Sequence, residues 1–511
     1  MKRLISMKND IIVWLVIITG FLVTRLVNLT KLPIFTDEAI YIRWSQIGAN
    51  DANWRFISLT DGKQPLFTWI MMLYLKVIHL DPLFVGRLVS VSAGLLSVIG
   101  IWLVTRELFN NKKIAYIASI LYVISPFTLM YDRLALYDSW VACLSIWNLY
   151  LALRLVKSPA LDKALIFAMT LALGMLNKSS GFFGLYLVPV TAILFDWRKN
   201  LKKSGLFYWI RLVIISAILS QVYYSVLRLS PYFHMIGQKD HVFIYSFSDW
   251  FANPTKFLIG NLKGLFDWLT GYMTLPVFIL AFLPVLTFWK NPKQKFILYA
   301  YWFLPFLALA LFGKVLYPRF ILFMSIPLYI LSSLGFFWII TNFKNRFFML
   351  VFLAVILGSA LNMSYLLVYD PIHAPVPLAD RGQIMDDWPA GGGIREVNNF
   401  FMAQAANKKI AVYTDGTFGL LPYAVEIYLV NNPNVEIHGI WPFPVKIPAE
   451  ISAKAALKDV YLITNQIQDK PDWPLLLIGS YQKGNRPDRS LRLYKVVSTI
   501  AAKNSDAGFS L

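Results

Sequence analysis

The segment "PLFTWIMMLYLKVIHL", residues 65–80, decides how the chain is threaded. Counted as a membrane span, it would reverse the side of every loop that follows. A helix needs roughly 20 apolar residues to cross the hydrocarbon, and this stretch is shorter and interrupted by Lys76 and His79. It therefore reads as a helix lying in the membrane interface. With that reading, "MKRLISMKND", "RELFNNKK", "RLVKSPALDK", "DWRKNLKK", "KNPKQK" and "NFKNR" all fall on one side. Lys and Arg are enriched in cytoplasmic loops, so that side is expected to be the cytosol.

Working outward, the 511 residues are 57% hydrophobic and 16% aromatic, and only 15% are charged. These proportions define an α-helical polytopic membrane protein. Candidate spans lie at about 11–27, 84–104, 114–131, 139–156, 163–176, 181–196, 206–227, 272–290, 296–313, 320–340 and 347–368, for an expected 11–13 transmembrane helices. The run "IIVWLVIITGFLVTRLV" lacks a small-residue cleavage site and reads as a retained anchor. The formal charge of +20 resides mostly in the cytoplasmic segments, so no nucleic-acid partner is expected. Cys143 is the one cysteine, and the five histidines show no metal-ligand spacing, so neither a disulfide framework nor a metal site is expected.

The remaining loops face outward: 28–83, 132–138, 177–180, 228–271 and 314–319. After residue 369 the pattern changes. "REVNNFFMAQAA" and "LLPYAVEIYLV" have helical period, while "KIAVYTDG", "VEIHGIW", "DVYLIT", "LLLIGSY" and "LRLYKVV" read as strands. The expected organisation is a transmembrane domain over 1–369, with a long first outer loop at 28–83, and a small C-terminal α/β extracytoplasmic domain over 370–511. The chain is expected in the plasma membrane with its N-terminus cytoplasmic.

Chemistry-bearing residues gather in the outer loops. "FTDEAIYIRWSQ", residues 35–46, sets Asp37 and Glu38 side by side close to a span. Acids held near lipid are costly and usually functional, but "TDEA" also supplies Thr36 or Asp37 as a helix N-cap, and both readings stand. Lys63 in "DGKQPLF" reads as a snorkelling lysine or a ligand-binding one. "YDRLALYD" holds Asp132, Arg133 and Asp138, and "LNKSSG" holds Lys178. "GKVLYPRF" presents Lys314, Tyr317 and Arg319, as lipid-headgroup anchors or as part of a phosphate site.

Carboxylates and cations converging on one membrane face suit a polyprenyl-phosphate sugar. Its tail stays in the bilayer while its phosphate sits at the interface, where a cation about 4 Å away contributes roughly 4 kcal/mol at an effective dielectric near 20. Cations would stabilise the departing phosphate, and a carboxylate would take the proton from an acceptor hydroxyl. The phosphate ester supplies the driving force, so no ATP site is required. A transporter or flippase of lipid-linked sugars is the alternative, but transporters tend to place charges at the midplane and in repeated halves.

Taken in order, "FTDEAIYIRWSQ", "DGKQPLFTWI", "GRLVSVSAGLLSVIGIWL", "RLALYDSW" and "LNKSSG" resemble the N-terminal half of the lipid-linked-sugar glycosyltransferases with the GT-C fold. The nearest subgroup resembles bacterial relatives of protein O-mannosyltransferases and lipid A aminoarabinose transferases. The resemblance implies that Asp37 is the catalytic carboxylate, Glu38 its paired neighbour and Asp138 a second outer-loop acid. It further implies that Lys63 meets the donor phosphate and that Lys314 and Arg319 complete that site. The implied reaction is inverting transfer, by single displacement, of a monosaccharide from a polyprenyl phosphate to a lipid, glycan or protein hydroxyl, with no obligatory metal or other cofactor. One position departs: aminoarabinose transferases tend to carry an Arg three residues after the catalytic Asp, where this chain has Ile40.

Overall fold

The computed structural model describes residues 2–196, 203–287 and 289–497. Most of the basic segment "DWRKNLKK" and the end of the C-terminal domain, 498–511, lie outside the described residues. Among those described, seven helices are long and apolar enough to cross a membrane by length and composition, or nine if each of two bent pairs is one span. The expected 11–13 counted 163–176 and 181–196 as crossings as well. These fold as Leu161–Asn177 and as the helical run Ser179–Leu194, both shorter than the other spans.

The first elements are α1 (Lys2–Leu26), α2 (Thr36–Asn50), α3 (Leu66–Val77), α4 (Pro82–Phe109), α5 (Lys112–Ile124), α6 (Pro126–Asp132), α7 (Asp138–Lys157) and α8 (Leu161–Asn177). Helix α3 has 12 residues, about 18 Å at 1.5 Å per residue, which is too short to span. It buries Phe67 and Met71 and leaves Leu73, Lys76 and Val77 exposed, as an interfacial helix would.

Both bends follow from local sequence. Between α5 and α6 the axis turns by 60°. Pro126 drives the preceding Ser125 out of the helical region, and the Ser125 hydroxyl accepts the Phe127 N–H at 3.2 Å to start the next helix. Between Leu258–Met273 and Leu275–Thr287 the turn is 104°, made at Thr274, which has φ +64°. A β-branched residue at positive φ is strained backbone.

The chain divides into two compact units. The first comprises 1–29, 51–71 and 87–377, and the second comprises 30–50, 72–86 and 378–511. The second unit thus begins at 378 rather than 370 and takes in 30–50 and 72–86 as well. Helix α2 packs along Leu420–Leu429, where Arg43 pairs with Glu426 at 2.6 Å and the Gln46 amide donates to the Ile427 carbonyl at 2.8 Å.

The sheet of the second unit has five strands: β1 (Ile410–Thr414), β2 (Val435–Gly439), β3 (Asp459–Thr464), β4 (Leu475–Lys483) and β5 (Arg486–Val496). Their order is β2-β1-β3-β5-β4. Strand β1 runs parallel to β2 and β3, whereas β5 is antiparallel to β3 and to β4. Every residue of β1 is buried, as a parallel strand covered on both faces requires. All five strands expected from the sequence are present.

Candidate functional site

In the first unit the site is built from two tight turns. The turn "DGK" ends the short helix Ile57–Asp61 at Gly62, whose φ is +67°. A Cβ there would stand 2.3 Å from the Met235 carbonyl oxygen, so both conformation and close approach require glycine. The second turn follows α8 in "NKSSG". A Cβ on Gly181 would stand 1.9 Å from the Gly174 carbonyl oxygen, so the chain folds back on the helix end only because this residue is glycine. The turns place Lys63 with Gln64, and Lys178 with Ser179.

Lys178 donates to Asp138 Oδ1 at 2.7 Å, and the Asp138 side chain is almost fully buried. Asp138 opens α7, where the helix N-terminus favours a negative charge. The Lys178 ammonium also lies 4.4 Å from the centroid of the Phe320 ring, within cation–π range. Arg319 covers Tyr317 at 4.9 Å and Phe320 at 5.9 Å. Asp138, Lys178, Tyr317 and Arg319 are thus joined by contacts through Phe320.

The neighbouring turn continues the polar surface. Gln64 donates to the Ser179 hydroxyl at 2.8 Å, and that hydroxyl donates to Asp240 at 3.0 Å. Burial pushes the Asp240 carboxyl above the usual range, against the Ser179 hydrogen bond and the charges of His241 and Lys178. Asp61 is shared by two lysines, Lys239 at 2.7 Å and Lys63 at 3.7 Å. Two ammonium groups thus share one carboxylate beside the Lys178 turn.

The other expected residues fall elsewhere. Lys314 is exposed, with its ammonium 6.0 Å from the Tyr245 ring centroid and its backbone N–H on the Phe243 carbonyl at 2.8 Å. Arg133, expected to bind substrate, is fully buried and donates to the carbonyls of Thr24, Arg25, Val27 and Asn28 at 2.7–3.1 Å. It closes the C-terminus of α1, whose last carbonyls have no partner within the helix. Asp132 is buried as well and accepts from Arg25 at 3.3 Å and from Tyr122 and Ser139 at 3.2 Å.

Asp37 and Glu38 belong to the second unit, in the first turn of α2. Asp37 is half-buried. Glu38 is fully buried, and its Oε2 accepts the Phe35 N–H at 2.9 Å. It reaches back from the third helical position to the residue before the helix, as the acidic member of a capping box does. The Thr36 hydroxyl donates to the Pro389 carbonyl at 2.9 Å. The geometry thus gives Glu38 the task of fixing the turn that carries Asp37.

Asp61, Gln64, Ser179, Lys239 and Asp240 were not singled out from the sequence. Asp61, Gln64 and Ser179 stand beside expected residues, and Lys239 and Asp240 lie in the charged stretch "QKDH" of segment 228–271. Among the described residues, no three His, Cys, Asp or Glu side chains gather into a set that could hold a metal ion.

Residues 62–224 match the family model described as dolichyl-phosphate-mannose-protein mannosyltransferase. The matched segment contains Lys63, Asp138 and Lys178. No curated protein matches the chain. Among solved structures, ArnT from Cupriavidus metallidurans in the apo state aligns with a TM-score of 0.59 at 13% identity, covering 97% of this chain and 99% of that one. The same protein bound to undecaprenyl phosphate aligns with a TM-score of 0.56, also at 13% identity, covering 96% and 98%. An Archaeoglobus fulgidus oligosaccharyltransferase tethered to an acceptor peptide aligns with a TM-score of 0.48 at 13% identity, covering 89% and 69%.

Proposed function

We propose that this chain, a polytopic membrane protein with the GT-C fold, is a glycosyltransferase that moves a monosaccharide from a polyprenyl phosphate to a hydroxyl acceptor at the outer membrane face. The observation that carries the reading is the cluster around Lys178, Asp138 and Lys63, which lies within the segment matched by the mannosyltransferase family model. A likeness in fold to a protein solved with undecaprenyl phosphate supports a lipid-phosphate donor.

The roles follow from charge and protonation. Asp37 accepts the proton of the acceptor hydroxyl, whose oxygen attacks the anomeric carbon. The bond from that carbon to the phosphate oxygen breaks, its electron pair leaves with the phosphate, and the configuration inverts. Lys63, Lys178 and Arg319 stabilise the charge gathering on the phosphate, with Tyr317 stacked under Arg319. Asp138 holds Lys178 in place, and Glu38 fixes the turn bearing Asp37. No metal or other cofactor enters these steps. The N-terminus is cytoplasmic and the second unit extracytoplasmic, in the plasma membrane. The acceptor is a lipid, glycan or protein.

The test is to incubate the purified chain in lipid with synthetic polyprenyl-phosphate hexoses and pentoses and to follow the donor by mass spectrometry. Conversion of donor to free polyprenyl phosphate supports the assignment. Movement of intact donor between leaflets, without cleavage, would make the protein a transporter instead.

A further inference from the structure

Lys483 is a charged residue with no exposed surface, placed at the end of edge strand β4. Burying an ammonium is costly unless its donors are satisfied. Here its partners converge on one short loop. Nζ donates to the carbonyls of Ala390 at 2.5 Å, Trp388 at 3.3 Å and Asp387 at 3.4 Å, and to Oδ1 of Asn465. Asn465 in turn donates to the Trp388 carbonyl at 2.8 Å. One cation therefore gathers three backbone carbonyls, of Asp387, Trp388 and Ala390, from a single short turn.

The same loop holds the start of α2. The Pro389 carbonyl accepts both the Thr36 N–H at 3.0 Å and the Thr36 hydroxyl at 2.9 Å. Gly391 N–H donates to the Ile34 carbonyl at 2.8 Å, and Phe35 pairs with Ala390 as an antiparallel bridge. The ammonium and the first turn of α2 are thus joined through hydrogen bonds to adjacent residues of one short backbone segment, 387–391, within one unit. Asp37 is the next residue along.

We infer that Lys483 is a positioning residue: by organising loop 387–391 it sets the place of the α2 turn that presents Asp37. The consequence for catalysis rests on the assignment of Asp37 as base, whereas the coupling between Lys483 and the turn does not. Displacing a catalytic group by about 1 Å is enough to cost on the order of 100-fold in rate.

The experiment uses the full chain in lipid and the variant Lys483→Met, with two readouts. Hydrogen exchange at peptides covering 33–38 is expected to speed up at least about tenfold, while β1 and β3 keep their protection. Turnover of a polyprenyl-phosphate hexose is expected to fall about 10- to 100-fold with the donor KM within about twofold of wild type. Unchanged exchange at 33–38, or a uniform rise that includes β1 and β3, would overturn the inference. Faster exchange at 33–38 with full turnover would keep the coupling and remove Asp37 from the chemistry, which separates the two failures. If Lys483→Met does not fold, Asn465→Ala, which removes the bond to Trp388, is read in the same way.

Discussion

The Lys178 ammonium and the Asp138 carboxylate stand 2.7 Å apart, the lysine at the C-terminal end of α8 and the aspartate opening α7. The pair joins two helix ends that both carry partial charge, the N-terminus of α7 favouring the anion and the C-terminus of α8 the cation. Asp138→Asn should leave the lysine with a weaker, uncharged partner. On the proposed reading, donor kcat/KM falls about tenfold in Asp138→Asn and further in Lys178→Met. The double variant should do no worse than Lys178→Met alone, since Asp138 acts through the lysine. Steady-state kinetics on a polyprenyl-phosphate hexose measures this, and full additivity would separate the two residues.

Arg133 gives a contrasting expectation. Its bonds end on backbone carbonyls at the close of α1, so Arg133→Met should destabilise the protein by about 3 kcal/mol or more, given roughly 1.5–3 kcal/mol for a hydrogen bond to a charged group. Donor KM in the folded fraction should not change. Thermal unfolding in detergent together with donor kinetics would show whether Arg133 is a structural cap or a ligand.

Gly181→Ala tests the packing that sets the Lys178 turn. With a Cβ only 1.9 Å from the Gly174 carbonyl oxygen, the backbone must move. Overpacking of this kind typically costs about 1–3 kcal/mol, and the displaced Lys178 should weaken donor use as well. A melting temperature and donor KM equal to wild type would show that the turn relaxes freely.

The second unit carries its own pH signature. Asp415 accepts three backbone N–H groups on Oδ2, while its buried Oδ1 has no hydrogen-bond partner among the described residues. Burial pushes its carboxyl up to about 6, against those three bonds and the Lys483 charge. Between the unfolded value near 4 and about 6, the unfolded chain releases this proton before the folded one does. Stability therefore falls as pH rises through that window, by up to about 3 kcal/mol. Asp415→Asn should remove this part of the pH dependence, measured as melting temperature from pH 4 to 7 for both proteins.

The membrane architecture was largely legible because lipid-crossing helices are read from length and composition, although the breaks at Ser125 and Thr274 and the short stretches 163–176 and 181–196 lower the count of crossings. The five strands were equally legible from alternation and apolar runs. The polar site was less so. The Asp61 partnership with Lys239 links residues far apart in the chain, and nothing local to "QKDH" points at "DGK". Arg133 stands in a short loop between two spans, and its task is set by the end of α1, more than 100 residues earlier. The capping role of Glu38 was local, three residues from Phe35, but Thr36 and Asp37 offered the more familiar N-cap residues. Division of segment 28–83 between two units depends on pairs such as Arg43 with Glu426, which no window of sequence contains.

The most direct test of the central claim is the turnover of Asp37→Asn in lipid on a polyprenyl-phosphate sugar that wild type consumes. General-base catalysis contributes about 10²- to 10⁴-fold, so turnover is expected to fall at least about 100-fold with an unchanged melting temperature. Turnover within a few-fold of wild type would contradict that claim.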